Sequence, residues 1–349
     1  MKFLSNNSPE LHLLQGVARK FCEHSGVEID VAKLLNQRTL LTGWQPREQQ
    51  SVGQSCCLMQ TEDQQWVAIN LARAEDHQLL SIFLRDVFLS NDLLSWADVR
   101  RATCNVDSLA LIEYASEVGL PISRLGEVAN DYRLDELPIN LSYENKSSSA
   151  LKPNRMIAVL DLSSLWAGPL CSRLLMDAGC QVTKVESTHR LDGSRYGHPE
   201  FFKQLNDGKD EAVLDFTSAS GRMQLRELIY EADVVIEGSR PRALQHLGID
   251  AQHVLRDGKP RVWLSLTGYG RGAGQGHRVG FGDDCAVAGG LVNFCPSGPQ
   301  FVADAVADPL TGLISAVAVL DALESPRPVL IEAVLAKSAA WLNSVRQTA

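Results

Sequence analysis

Residues 156–186 read MIAVLDLSSLWAGPLCSRLLMDAGCQVTKVE, and this stretch decides the fold. The apolar run Met156–Leu162 predicts a buried strand, and the helical spacing of Pro169–Ala178 predicts a helix behind it. A second strand is predicted over Val182–Glu186. A strand, a helix and a strand in this order are typical of a parallel sheet covered by helices.

The same alternation continues toward the C-terminus. Further strands are predicted over Glu211–Phe216, Asp233–Glu237, Val262–Leu266 and Pro328–Ala333, and further helices over Ser220–Ala232, from Pro309 onward and after Ala333. The second part of the chain is therefore expected to be an α/β domain with a Rossmann-like parallel sheet and helices on both faces. Ligands of such sheets bind at the carboxyl ends of the strands.

The first part of the chain predicts helices around one hairpin. Helices are expected from Pro9, over Asp30–Leu41 and in three segments between Asp76 and Val118, while Cys57–Met59 and Trp66–Ile69 predict two strands. A polar, serine-rich stretch then predicts a linker. We therefore divide the chain into a small α+β part (1–137), a linker (138–154) and the α/β domain (155–349).

Composition excludes several classes of protein. The 349 residues carry 33 Lys and Arg against 42 Asp and Glu, and the net charge of −9 argues against a nucleic-acid partner. Neither a membrane-spanning run nor a signal peptide is predicted, so we expect a cytoplasmic protein without a membrane partner. The eight cysteines form no CxxC pair, so we expect reduced thiols and no metal site.

The turn after the first predicted strand lacks the dinucleotide fingerprint. It reads SSLWAGP over 163–169, with Gly168 as its one glycine. A nicotinamide site would need three glycines at this turn, so that class of enzyme is disfavoured. The turn can still bring the N-terminus of a helix close to a phosphate group.

Asp308 stands directly before Pro309 at the start of a predicted helix. This pattern fits an ordinary N-cap, which is the simplest reading of the residue. It also fits a nucleophile, because a helix N-terminus favours the ionised carboxylate. Asp304, four residues earlier, is a competing carboxylate. The residues by themselves leave these possibilities open.

Two further loops carry candidate residues. Five glycines occur between Gly268 and Gly276, which indicates a loop with close backbone approaches but no P-loop ending. Asp283 and Asp284 follow it and fit turn or cap chemistry equally well. His277 is the best-placed histidine, and the absence of a GxSxG elbow disfavours a serine hydrolase.

Taken in order, the motifs of the second part resemble the class III CoA-transferases, the superfamily of formyl-CoA transferase, carnitine CoA-transferase and acyl-CoA racemase. The likeness runs through VLDLSSLWAGPLCSRLLMDAGCQVTKVE (159–186), NDGKDEAVLDF (206–216), ADVVIEGSRPRALQHLG (232–248), PRVWLSLTGYGRG (260–272) and ADPLTGLISAVAVLDAL (307–323). No single segment is diagnostic; the ordered series is.

The resemblance implies a chemical role for Asp308. In the family an aspartate at the start of the helix in the last motif attacks the acyl-CoA thioester and forms an acyl–aspartyl anhydride. CoA then returns to give an aspartyl-CoA thioester, which the acceptor acid attacks. The resemblance thus implies an enzyme that moves CoA between carboxylic acids, as a homodimer and with no cofactor beyond CoA as substrate.

The resemblance also implies the residues that contact CoA. They map to Leu165, Trp166, Ala167, Leu214, Gly238, Ser239 and Arg240. Arg190 and Arg195 follow the second strand and are candidate phosphate partners. Gly238-Ser239 replaces the Asn-Phe pair of many members, and Gly282 stands where the family often has an acid.

The order of segments departs from the family. Residues 51–80 resemble the small-domain strands that other members carry after the sheet domain, and 119–128 resembles a later Gly-Leu-Pro segment. The glycine-rich lid loop of the family retains only Gly53, so we expect a shortened lid. An acyl-CoA isomerase, racemase or lyase with Asp308 as base, and a non-catalytic CoA-binding protein, remain as alternatives. The family's racemase branch carries a His before an Asp in the 282–284 loop, which this chain lacks.

Overall fold

Strands and helices alternate along most of this chain. The computed structural model describes residues 8–45, 47, 49–84, 95–145 and 155–348. The first part contains α1 (Pro9–Ser25), α2 (Val31–Leu35), α3 (Gln37–Thr42), β1 (Cys56–Gln60), β2 (Trp66–Asn70), α4 (Ala74–Leu84), α5 (Trp96–Thr103), α6 (Ser108–Val118), β3 (Ile122–Arg124) and β4 (Ile139–Tyr143).

The second part holds the remaining elements. They are β5 (Ala158–Asp161), α7 (Ala167–Asp177), β6 (Gln181–Ser187), a 3₁₀ turn (Gly193–Tyr196), α8 (Pro199–Asn206), β7 (Asp210–Leu214), α9 (Ala219–Glu231), β8 (Val234–Glu237), α10 (Pro241–His246), α11 (Ala251–Asp257), β9 (Val262–Thr267), α12 (Gly282–Ala288), β10 (Val292–Cys295), β11 (Gly298–Phe301), α13 (Ala307–Leu323), β12 (Val329–Val334) and α14 (Leu335–Thr348).

A seven-stranded sheet organises the second part. Its strand order is β4-β12-β9-β8-β5-β6-β7, and all neighbours pair in parallel except β4, which lies antiparallel at one edge. The chain winds from β5 outward to β7 and then returns to place β8 on the other side of β5. The predicted Rossmann-like sheet is confirmed. Its switch point, where such folds bind ligands, lies between β5 and β8.

Close packing of two helices places α13 beside the first turn of this sheet. A Cβ on Gly312 of α13 would lie 2.7 Å from the carbonyl oxygen of Ala167, so the helices can approach this closely only with glycine there. A Cβ on Gly168 would overlap the Ser163 hydroxyl at 2.0 Å. The glycines of the two motifs therefore bring the start of α13 to the carboxyl end of β5.

A small antiparallel sheet, β1-β2-β3, lies against α12. The predicted hairpin is confirmed, with Cys56 opposite Asn70 in the register. One face of the sheet packs on α4, α5 and α6 around a separate core. The other side is tied to α12, because Ser123 donates a hydrogen bond of 2.8 Å to the carbonyl of Asp284. The predicted smaller α+β unit is thus present.

The N-terminal helices α1 and α2 pack into the hydrophobic core that also contains α7 and α13. Leu14 and Phe21 of α1 are fully buried in the same core as α7 and α13. The continuous helix predicted over Asp30–Leu41 is wrong, since α2 and α3 are separated at Asn36. Asn36 leaves helical geometry there and its backbone N–H bonds back to Lys33.

The stretch predicted as a linker contains a strand. Residues Ile139–Tyr143 form β4 and pair with β12, while 146–154 lie outside the described residues. The predicted helix over Asp76–Leu89 is seen as α4 up to Leu84, and its remainder also lies outside them. The contacts of α1 with the α/β core cross the boundary expected at 137, and the domain division stays a prediction. Every helix in the described part of the chain is too short or too polar to cross a lipid bilayer.

We expect α1 to be needed for the stability of the α/β core. Phe21→Ala should lower the free energy of unfolding by about 3 kcal/mol, because it removes a fully buried ring and leaves a cavity. Urea unfolding measures this, and Leu40→Ala is the control because Leu40 is 67% exposed. Equal effects of the two substitutions would show that α1 contributes nothing to this core.

Candidate active site

The structure places the residues implied for CoA binding along one edge of the large sheet. Leu165, Trp166 and Ala167 follow β5, Arg190 follows β6, Leu214 ends β7, and Gly238, Ser239 and Arg240 follow β8. Because these parallel strands are neighbours, their carboxyl ends form one rim. The switch point between β5 and β8 lies within it.

A buried ion pair holds the turn after β5. Leu165 has a φ of 71°, which is unusual for a residue with a side chain. Its N–H donates to Asp192 Oδ1 at 2.9 Å, and Lys184 Nζ donates to Asp192 Oδ2 at 2.8 Å. Lys184 also donates to the Ser163 carbonyl at 3.1 Å. These bonds connect the loops that follow β5 and β6, and they fix the strained turn.

A second buried charge pair lies directly below this turn. Burial disfavours the Asp161 carboxylate, but Lys209 and Lys184 beside it outweigh that effect and lower its pKa to about 2. Lys209 Nζ lies 3.2 Å from Asp161 Oδ2 and 2.7 Å from the Ser172 hydroxyl. The turn after β5 is therefore supported by an ionised carboxylate that is paired with lysine and hydrogen-bonded.

The predicted CoA contacts differ in accessibility. Trp166 is buried and meets Phe201 edge-on at a ring separation of 4.8 Å, and Ala167 is buried as well. Leu165, Arg190, Gly238 and Arg240 are exposed. The accessible surface of the rim is thus formed by these exposed residues and not by the buried Trp166 ring.

Arg195 is already paired in the structure. Its guanidinium bonds Glu186 through Nε at 3.0 Å and Glu211 at 3.1 Å. Its role as a phosphate partner is therefore disfavoured, since a phosphate would have to compete with two carboxylates. Arg190 has an exposed side chain, and among the described residues no carboxylate pairs with it.

The loop after β8 is connected to the glycine-rich loop. Ser239 donates to Glu237 at 3.3 Å, and Arg271 of the glycine-rich loop reaches the same buried carboxylate at 2.8 Å. At the base of that loop, a Cβ on Gly268 would lie 2.9 Å from the backbone of Gly280. The glycine-rich segment is therefore anchored at both ends, and His277 within it is exposed.

Asp308 does not cap its helix. Helix α13 begins at Ala307 and the N-cap position is Val306, so Asp308 is the second residue inside the first turn. Its own N–H donates to the Ala305 carbonyl at 2.9 Å. The capping interpretation is therefore wrong, and the side chain is left for another role.

Asp308 lies against the start of a second helix. A Cβ on Gly282, the first residue of α12, would lie 2.5 Å from Asp308 Oδ2 and 2.3 Å from the Ala305 carbonyl oxygen. The backbone N–H of Gly282 lies close enough to favour the ionised form of the Asp308 carboxyl and so to lower its pKa. In this structure no side chain fits at position 282 beside Asp308.

The carboxyl of Asp308 is not kept ionised by its helix. Burial raises its pKa to about 8, with Asp283 adding to the effect, while Arg38 opposes it. The expectation of a stabilised carboxylate is wrong, because desolvation and neighbouring acids exceed the attraction of the helix N-terminus. A group with a pKa near neutrality can take up or release a proton there.

Three more acids surround Asp308. Burial raises the pKa of Asp283 to about 7 and that of Asp284 to about 6. Asp283 accepts a hydrogen bond of 2.9 Å from the Ala305 N–H. Asp304 is fully buried and forms an ion pair with Arg38. We name Asp283, Asp284, Asp304 and Asp308 the acid cluster.

Sequence reasoning missed the residues that complete this cluster. Arg38 comes from α3, and Asn70 at the end of β2 donates to Asp284 at 2.9 Å. Tyr269 donates to Asp284 at 3.3 Å. No motif marked Arg38 or Asn70, because each lies more than 200 residues from its partner along the chain. Tyr269 could have been found, since it lies inside the glycine-rich motif.

Within the described residues, no group of three or more His, Cys, Asp or Glu side chains is arranged to hold a metal ion. All eight cysteines are free thiols.

Comparison with known proteins assigns the family. Residues 156–342, more than half of the chain, match CoA-transferase family III. The chain is 32% identical over 214 residues to an acyl-CoA transferase of Fusarium pseudograminearum, covering 56% of this chain and 46% of that protein. It is 26% identical over 181 residues to a formyl-CoA:oxalate CoA-transferase of Escherichia coli, covering 49% of this chain and 44% of that enzyme.

A solved structure agrees with the fold. The crystal structure of Rv3272 from Mycobacterium tuberculosis superposes with a TM-score of 0.51 at 27% identity, covering 57% of this chain and 60% of that one. The fold is thus that of the α/β CoA-transferases. The chain belongs to CoA-transferase family III. It spans about half the length of the curated relatives that it matches.

Gly282→Ala should displace Asp308. The added Cβ would meet backbone as well as the carboxylate, so the contact cannot be relieved by a side-chain rotation. We expect a loss of about 2 kcal/mol in unfolding free energy and loss of any reaction that uses Asp308. Gly272→Ala is the control, because nothing lies within 4 Å of a Cβ there. Unchanged stability and activity of Gly282→Ala would contradict the described contact.

Asp308→Asn should stabilise the fold at alkaline pH. The unfolded carboxyl ionises near pH 4, whereas the folded one holds its proton until about pH 8. The wild type therefore loses stability as pH rises between these values, and asparagine does not. We expect the advantage of the variant to grow by on the order of 4 kcal/mol between pH 5 and 8.5.

Urea unfolding at several pH values measures this difference. The control is Asp207→Asn, since the Asp207 side chain is exposed. A stability difference between Asp308→Asn and wild type that does not change with pH would mean that Asp308 is ionised in the folded state at all these pH values.

Proposed function

We propose that this protein transfers CoA between an acyl-CoA thioester and a carboxylic acid, with Asp308 as the covalent nucleophile. The observation that carries the proposal is the position of Asp308. It lies in the first turn of α13 without being the N-cap, close to the sheet rim and to the Gly282 N–H. Family membership and the transferase names of the relatives support it.

The first half of the reaction would transfer the acyl group to the enzyme. An Asp308 oxygen attacks the thioester carbonyl carbon, the carbon–sulfur bond breaks, and CoA leaves as the thiolate. The thiolate then attacks Cγ of Asp308 in the resulting anhydride. This step forms an aspartyl-CoA thioester and releases the donor acid as its carboxylate.

The second half repeats these steps in reverse with the acceptor. The acceptor carboxylate attacks the aspartyl-CoA carbonyl and expels the CoA thiolate, which then attacks the acceptor's acyl carbon. The new acyl-CoA leaves and the Asp308 carboxylate is regenerated. No oxidant or net proton is needed, and the thioester energy is conserved. Backbone N–H groups of the glycine-rich segments would stabilise the oxyanions.

CoA would lie along the rim of the sheet. The exposed residues Leu165, Arg190, Gly238 and Arg240 are proposed to contact it, together with the partly buried Ser239 and Leu214. Trp166 and Ala167 would act by holding the turn, since both side chains are buried. Arg190 fits a phosphate partner because its side chain is exposed and free of the ion pairs that engage Arg195.

One observation favours a second candidate, an acyl-CoA isomerase, racemase or lyase. A pKa of about 8 for Asp308, next to Asp283 at about 7, suits proton transfer near neutral pH. Such an enzyme would exchange the α-proton of an acyl-CoA with solvent. Incubation in D₂O followed by mass spectrometry of the acyl-CoA tests this, and no deuterium uptake would count against it.

The transferase proposal is tested by trapping the intermediate. The protein is incubated with a panel of acyl-CoAs, treated with hydroxylamine or borohydride, and analysed by intact mass and peptide mapping. We expect an adduct on the peptide that contains Asp308 in the wild type and none in Asp308→Asn, which keeps the side chain's shape. Asp207→Asn should form the adduct normally.

Binding must be measured alongside the trapping. Calorimetry with CoA shows whether the rim binds its ligand in both the wild type and Asp308→Asn. CoA binding without an adduct or deuterium uptake for any donor would overturn both enzymatic proposals and leave a non-catalytic CoA-binding protein. A homodimer and a cytoplasmic location remain predictions, and analytical ultracentrifugation tests the first.

A further inference from the structure

We propose that Arg38 is a positioning residue of this site, which pairs with Asp304 and supplies a positive charge that favours the carboxylate form of Asp308. The inference rests on the proposed function for the role of Asp308, but it can be tested without turnover. It assigns a task in the α/β site to the N-terminal helices.

Arg38 is fixed by a two-point ion pair. Its Nε donates to Asp304 Oδ2 at 2.6 Å, and its Nη2 donates to Oδ1 of the same carboxylate. Asp304 is fully buried, whereas a quarter of the Arg38 side chain is exposed. Two parallel bonds hold the guanidinium in one orientation, which a lysine could not reproduce.

Aromatic rings hold the guanidinium as well. Its central carbon lies 5.0 Å from the centre of the Trp166 ring and 5.8 Å from that of Phe201. Both distances fit cation–π attraction. Arg38 thus connects α3 to the turn after β5 and to α8. The lid position Gly53 lies beside it, since a Cβ there would be 3.7 Å from Nη2.

The charges around Asp308 are unbalanced. Asp283 and Asp284, from the first turn of α12, both disfavour its carboxylate, and the Gly282 N–H favours it. Burial raises the pKa of the Cys285 thiol, and Asp308 adds to this effect. Tyr269 donates to Asp284, and Arg278 lies over the Tyr269 ring. Asp304 faces Asp283. Among the described residues, Arg38 is the cation that acts on Asp283, Asp304 and Asp308 together.

Removing Arg38 should therefore have two separable effects. Asp304 would be left buried without its partner, which destabilises the fold. Asp308 would lose the positive charge of Arg38, so its carboxylate would form only at higher pH. Substituting Asp304 together with Arg38 removes the first effect and retains the second.

The test compares Arg38→Met, Arg38→Lys and the double variant Arg38→Met/Asp304→Asn with the wild type. Arg19→Met is the control, because Arg19 is an exposed arginine on α1 and its loss changes the net charge equally. The first measurement is the single-turnover rate of adduct formation on Asp308 between pH 6 and 10. The second measurement is the change in unfolding free energy caused by Asp308→Asn, determined as a function of pH in the wild type and in each Arg38 variant.

We expect the rate of Arg38→Met/Asp304→Asn to fall about tenfold at pH 7 and to recover near pH 10, which corresponds to a shift of about one pH unit in the ionisation of Asp308. Its unfolding midpoint should stay close to that of the wild type. Arg38→Lys should show a smaller shift of the rate profile, and Arg19→Met none. In the stability measurement, the pH at which Asp308→Asn becomes advantageous should move upward by a similar amount.

The outcomes separate the two proposals. If adducts form but the double variant keeps the wild-type pH profile, Arg38 only pairs with Asp304 and the inference is wrong. If no variant forms an adduct, the proposed function fails, and the stability measurement still decides whether Arg38 controls the ionisation of Asp308. An unshifted stability profile in the double variant would overturn the inference in either case.

Discussion

The close approach of two helix starts governs the rest of this structure. Gly282 at the beginning of α12 lies against Ala305 and Asp308 at the beginning of α13, with no space for a Cβ between them. Gly312 then lets α13 approach the turn after β5. Small residues at these contacts bring the acid cluster to the rim of the sheet, where doubly wound folds bind ligands.

Burial, more than helix polarity, sets the electrostatics of the site. Two helix N-termini point at the acid cluster, yet the pKa values of Asp283, Asp284 and Asp308 are all raised. A helix N-terminus stabilises a nearby anion by about 1 kcal/mol, and desolvation of a carboxylate exceeds this. By contrast, Asp161 below the same rim is kept ionised by two lysines. Charged carboxylates thus support the rim, whereas burial favours the protonated form of Asp283, Asp284 and Asp308.

The site draws on both parts of the chain. The family match begins at residue 156, but Arg38 and Asn70 lie before it and hold Asp304 and Asp284. The small sheet packs against α12 and contributes Asn70, which bonds Asp284. The N-terminal helices pack against α13 and contribute Arg38, which bonds Asp304. A chain that spans about half of its relatives' length can therefore build a connected acid cluster from both of its parts.

The sequence alone determined the alternating strands and helices, the hairpin and the place of Asp308 at a helix start, because periodicity and turn residues are local signals. The separation of α2 from α3 and the strand within 138–154 escaped it, since β4 exists only through its pairing with β12. The tertiary structure decided that Asp308 is not the N-cap of its helix and that Arg38 joins the acid cluster through Asp304. It also decided that buried acids surround Asp308, because desolvation and charge proximity depend on residues that meet only when the chain folds.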